Sequence, residues 1–144
     1  MSALTSLLDL IPEEHIIDLE RSGKAMTVPD PAKPFLLAAL VRRLGKPVLA
    51  VTARSEDAEH LARDVQAFLG KEGAEVFPGW EVLPGEPLSP SVETMGRRLD
   101  VLSRLRRGES LVVVATAQGI TQLVAPPRDT DIVELRSGSS IDLD

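Results

Sequence analysis

The sequence predicts an α/β fold, a parallel sheet flanked by helices. Three observations predict it. Two short apolar runs rich in β-branched residues, Val48-Leu49-Ala50-Val51 and Leu111-Val112-Val113-Val114-Ala115, lack polar alternation. That is the signature of strands buried on both faces of a parallel sheet. Segments of helical character alternate with these runs, and Gly23, Gly45 and Gly70 stand where left-handed terminating residues are wanted. Strand and helix in alternation then imply right-handed crossovers.

Taken in order, Leu4 to Ser22 reads as one or two helices, with Pro12 suited to a first turn and Gly23 to the end. Ala25-Met26-Thr27-Val28 is a strand candidate, and Pro29-Asp30-Pro31 a loop. Phe35 to Leu44 is helical, with Phe35, Leu36, Ala39 and Leu40 at core spacing. After the Val48–Val51 strand, Ser55 is placed to cap a helix reaching Leu69, with Glu56 and Asp57 on its first turn. Ala74 to Phe77 is a strand. Pro78 to Pro90 is irregular. Val92 to Arg107 is a helix whose apolar positions are Met95, Leu99, Leu102 and Leu105, and whose basic residues suit an exposed side and a C-terminal dipole. After the Leu111–Ala115 strand, Thr116 is placed to cap a short helix to Leu123 that Pro126-Pro127 ends. Asp131 to Leu135 is a further strand candidate, and Arg136 to Ser140 is linker-like. The domain reading is one module over residues 1–127, with 128–144 a linker and the start of a next subdomain.

Composition narrows the function classes. The chain has 144 residues and a net charge of −6, a poor balance for neutralising phosphates non-specifically. Its four aromatics (Phe35, Phe68, Phe77 and Trp80) are too few for a base-stacking platform. No cysteine is present, which removes thiolate metal and redox chemistry and agrees with a cytoplasmic protein. No apolar stretch is long enough for a membrane helix, and the first residues lack the charge pattern of a secretory signal.

The search for chemistry finds remnants. A phosphate loop needs glycines, a lysine and a hydroxyl. Gly23-Lys24, Gly45-Lys46 and Gly70-Lys71 are each followed by the wrong residue. Topologically, the loop from Pro29 to Pro34 is where such a site belongs. Lys33 stands at the lysine position, but Pro31 and Ala32 replace glycines and Pro34 replaces the hydroxyl. No Asp-Glu pair of the helicase kind exists, so ATP hydrolysis by this chain is not expected. His15 and His60 are far apart, no metal site is expected, and no catalytic residue is assigned. Arg97, Arg98, Arg104, Arg106 and Arg107 form the one basic cluster. Of these Arg97, Arg98 and Arg104, together with Trp80, are candidate contacts for a partner or nucleic acid.

One succession is more specific. Phe77-Pro78-Gly79-Trp80-Glu81-Val82-Leu83-Pro84 precedes Glu86-Pro87-Leu88-Ser89-Pro90. Then follow Gly96-Arg97-Arg98-Leu99 with Val101, Leu102 and Leu105, and then Val112-Val113-Val114-Ala115-Thr116. Over residues 24–127 this resembles the N-terminal region of the bacterial transcription-repair coupling factors. The resemblance implies a degenerate RecA-like module similar to domain 1a of UvrB, the damage-recognition helicase of nucleotide excision repair. It implies that Lys33 is a vestige of a phosphate loop, and that the DNA-clamping hairpin of UvrB is reduced to the Phe77–Ser91 segment. It implies a non-catalytic scaffold in a parent protein that is an ATP-dependent DNA translocase with its motor elsewhere. That parent displaces stalled RNA polymerase and recruits UvrA through other domains. For this piece, no cofactor is expected and DNA is not an expected partner. The rival readings are an atypical nucleotide-binding domain around Asp30–Lys33 and a weak DNA-binding module.

Overall fold

The structure is a computed structural model that describes residues 4–23, 25–80 and 91–124. Its sheet has three parallel strands, β1 (Val48–Thr52), β2 (Ala74–Phe77) and β3 (Val112–Thr116), in the order β1-β3-β2. Helices α1 (Glu13–Ser22), α2 (Lys33–Leu44), α3 (Ser55–Leu69), α4 (Val92–Arg106) and α5 (Ala117–Thr121) complete the α/β architecture. The expected fold class therefore holds. No described helix is long and apolar enough to cross a membrane.

Two apolar layers sandwich the sheet. On one face α2 and α3 bury Ala38, Ala39, Ala58, Ala62 and Val65 against Ala50, Val76, Val112 and Val114, with Leu8 and Ile16 sealing the N-terminal side. Phe35 and Phe68 meet edge to face at 5.7 Å. The other face is a smaller cluster of Phe77, Val101, Leu111, Val113 and Ala115. β3 lies between the two layers and is buried along its whole length, as its unbroken apolar run predicts.

The ends of the helices follow local chemistry. Gly23 and Gly45 terminate α1 and α2 at φ 57° and 61°, which glycine adopts without a Cβ penalty. The Ser91 and Thr116 side chains accept hydrogen bonds from the Thr94 and Gly119 N–H groups, capping α4 and α5.

Several expectations are corrected. Ala25–Val28 is not a strand; these residues are mostly exposed, and the sheet of the described residues consists of β1, β3 and β2 without them. Pro29–Pro31 is not a plain loop. Asp30–Ala32 forms a 3₁₀ turn running directly into α2, which starts at Lys33 because Pro34 is tolerated in a first turn. Ser55 does not cap α3: Arg54 precedes the helix and no side-chain cap forms. β1 is not buried on both faces: Leu49 is 57% and Val51 50% exposed, because α4 covers the part of that face formed by β2 and β3. Finally, α4 is rotated from its expected orientation. Thr94, Arg98, Val101 and Arg104 face inward, while of the expected apolar positions Met95 and Leu99 are exposed and Leu102 and Leu105 pack, half-buried, against the smaller cluster. The segment 81–90, the strand candidate Asp131–Leu135, the proline stop Pro126-Pro127 and the linker at 128–144 lie outside the described residues.

Candidate functional site

At the carboxyl end of β1, the starts of α2 and α3 enclose a cleft of about 500 Å³. This is where ligands bind in open α/β sheets. Lys33, the expected phosphate-loop remnant, lines it with Thr52, Asp30, Asp57, His60 and Asp64. The Lys33 ammonium lies 2.5 Å from the Asp30 carboxylate, across one turn. That hydrogen bond, and then the charge of Lys33, hold the Asp30 pKa below its usual value. Three carboxylates thus face one lysine that is already paired. Such a lining disfavours an incoming phosphate, whose charge has the same sign as the acids. Among the described residues no group of acids and histidines could hold a metal ion.

A second cluster lies where the chain leaves β2. The Arg98 guanidinium lies over the rings of both Phe77 and Trp80, at 4.1 and 4.2 Å from their centroids. Its Nη1 donates to the Pro78 carbonyl at 2.6 Å, while its Nη2 is buried without a partner. Burial lowers the Arg98 pKa, since desolvation disfavours the charged form. The Trp80 N–H donates to Gln122 Oε1 at 2.6 Å. Gly119 makes this closeness feasible: a Cβ there would stand 3.2–3.3 Å from Thr116 Oγ1, Gly79 N and Phe77 O. The candidate contacts Trp80 and Arg98 are thus brought together, as an internal contact.

The remaining basic residues are held apart from both clusters; Arg104 is buried, Arg97 half-buried, and Arg106 and Arg107 are exposed. Arg97 bridges to Glu59 at 2.8 Å and Glu75 at 3.6 Å, joining α4 to α3 and β2. Burial pulls its pKa down, but the Glu59 and Glu75 carboxylates raise it on balance. Arg104 is buried; its Nε donates to Glu109 at 2.8 Å and its Nη2 to the Glu72 carbonyl at 2.5 Å. Arg107 also donates to Glu109, at 2.9 Å. Arg97 and Arg104 thus reach acceptors contributed by other segments, whereas Arg107 reaches Glu109, two residues on, and Ser103 of α4. What the sequence reading missed is the inward position of Arg98 and Arg104. The available signal was acceptors nearby in sequence, Glu109 for Arg104, and two aromatics, Phe77 and Trp80, for Arg98.

No known family model matches the chain. The transcription-repair coupling factors of Mycobacterium tuberculosis (strain CDC 1551 / Oshkosh) and Mycobacterium bovis are each 34% identical to it over 118 residues, which is 75% of this chain and 10% of theirs. The chain is related to a part of these factors. The transcription-repair coupling factor of Myxococcus xanthus is 28% identical over 125 residues, 80% of this chain and 10% of its own. The relationship is distant, and the chain spans about a tenth of the length of the curated relatives it matches.

Proposed function

We propose that the chain is a non-catalytic scaffold module of a transcription-repair coupling factor, equivalent to its N-terminal UvrB-like region over residues 1–127. The parent would displace stalled RNA polymerase and recruit UvrA through its other domains, so this module would contribute to DNA repair without performing a reaction.

The observation that carries the reading is the Lys33 cleft. It occupies the ligand position of the fold, yet its one lysine is engaged by Asp30 and its other charged residues, Asp57 and Asp64, are acidic. A site lined this way retains the location of a nucleotide site and has lost the electrostatics for one. The distant relationship to the coupling factors supports the same reading. The arginines of α4 bond to groups of the chain itself, which removes the main support for a DNA-binding role.

Calorimetry of the chain with magnesium and ATP tests this. The expected result is no heat of binding at millimolar nucleotide, unchanged in Lys33→Ala. Saturable binding that is lost in Lys33→Ala would overturn the scaffold reading in favour of an atypical nucleotide-binding domain.

A further inference from the structure

The two outer edges of the sheet are built differently. On β2 the outward-pointing backbone groups are covered by side chains: Gln66 Nε2 donates to the Ala74 carbonyl at 2.8 Å, and Glu75 Oε1 accepts from the Val76 N–H at 3.2 Å. β2 is also short and carries a charged residue, Glu75, in its middle. These are devices that close an edge against further pairing.

β1 has none of them. Its sequence, Val-Leu-Ala-Val-Thr, contains no charge, proline or glycine. The Val48 N–H donates to the Leu111 carbonyl of the β3 side at 3.0 Å. Because successive residues alternate in direction, the N–H and C=O groups of Leu49 and Val51 point away from β3. Among the described residues no hydrogen bond from another segment covers them. The side chains of the same two residues are half-exposed on the face that α4 leaves open.

We propose that this edge is a docking site for the chain's own residues 131–135, Asp-Ile-Val-Glu-Leu, added as a fourth strand antiparallel to β1. Three points single out this occupant. Length matches: five residues face the five of β1. Reach is sufficient. The chain leaves α5 beside the end of β2, where Gln122 holds Trp80. From there to the far side of β1 is about three strand spacings, roughly 14 Å. The six residues 125–130 extend to about 20 Å. Direction follows from geometry: the chain departs from the carboxyl end of the sheet, so it enters alongside β1 from that end. Pattern agrees as well. Val133 and Leu135 share a face and would lie beside Leu49 and Val51, while Asp131 and Glu134 supply the charges that blunt a new edge. This assigns 131–135 to the module and moves its boundary from 127 to 135.

Amide hydrogen exchange by NMR on the full chain tests the proposal. The Leu49 and Val51 amides should be protected by at least ~100-fold, at every protein concentration. Cross-strand Hα–Hα contacts should join residues 131–135 to 48–52. In Val133→Pro that protection should vanish while Ala50 and Val114 stay protected. Free exchange of Leu49 and Val51 in the unaltered chain would overturn the proposal. So would protection that grows with concentration, which would mean that a second copy fills the edge, or protection that persists in the Val133→Pro variant. If that variant unfolds, the Hα–Hα contacts of the unaltered chain decide alone, and their absence overturns the proposal.

Discussion

Arg98 is the residue at which attraction and cost are most closely matched. Two ring faces and one carbonyl favour its guanidinium, while the unpartnered Nη2 and the surrounding burial oppose the charge. Cation–π contacts and a charge-assisted hydrogen bond are individually worth about 1–2 kcal/mol. A buried donor without a partner costs about as much. Truncation in Arg98→Ala removes the packing against the rings as well, and should cost about 2 kcal/mol. Arg98→Met keeps an unbranched side chain against the rings and removes the unpartnered donor, so it should cost less than about 1 kcal/mol. Urea unfolding followed by the fluorescence of Trp80, the one tryptophan of the chain, measures both. Equal losses in the two variants would mean that the charge itself carries the stabilisation. Ser91 offers a simpler case: its side chain accepts from the Thr94 N–H, and Ser91→Ala should cost about 1 kcal/mol in the same measurement.

Two glycines in neighbouring elements show how far element context decides the sign of a substitution. Gly96 lies inside α4, and a Cβ there would meet nothing within 4 Å. Gly96→Ala should therefore raise stability, by up to about 1 kcal/mol, through helix propensity alone. Gly119 lies in α5 with backbone atoms of Phe77 and Gly79 at 3.3 Å from the position of a Cβ. Gly119→Ala must push the β2 exit away from α5 and should lower the melting temperature, with the Trp80 emission altered. The same elements show what the sequence could convey. β2, β3 and the cap at Thr116 were legible because each is set by local composition. The orientation of α4 was not: Arg98 and Arg104 occupy inward positions that an apolar code reserves for leucine, and their acceptors come from other segments. The exposed face of β1 was hidden for a related reason. An apolar strand has the same sequence whether α4 reaches over it or stops one strand short. At the cleft, the loss of phosphate-loop residues around Lys33 could be read directly, whereas the approach of Asp57 and Asp64 required the packing of α3 beside α2.

On the scale of the whole molecule, two of the charge clusters should differ in their response to acid. At the carboxyl end of β1, Asp30 and Lys33 form a pair that is largely solvent-exposed, and such pairs contribute little to stability. The other cluster ties the end of α4 to the approaches of two strands. Arg104 reaches the Glu72 carbonyl before β2, and both Arg104 and Arg107 donate to Glu109 before β3. The hydrogen bonds from Arg104 and then Arg107 lower the Glu109 pKa from its ordinary 4.5. A carboxylate depressed in the folded state binds its proton more readily when unfolded. Its contribution is therefore complete above about pH 4.5 and is lost as the pH falls through the depressed folded value. Glu109→Gln should accordingly lower the melting temperature at pH 7, and the gap from the unaltered chain should close as the pH is taken below 4.5. Asp30→Asn, which removes a depressed carboxylate held only by an exposed pair, should show almost no gap at either pH. Thermal unfolding of the three proteins across pH 3 to 7 checks this. A pH-independent deficit in Glu109→Gln would show that Glu109 acts there as a neutral hydrogen-bond acceptor, and that the two arginines do not draw their stabilisation from its charge.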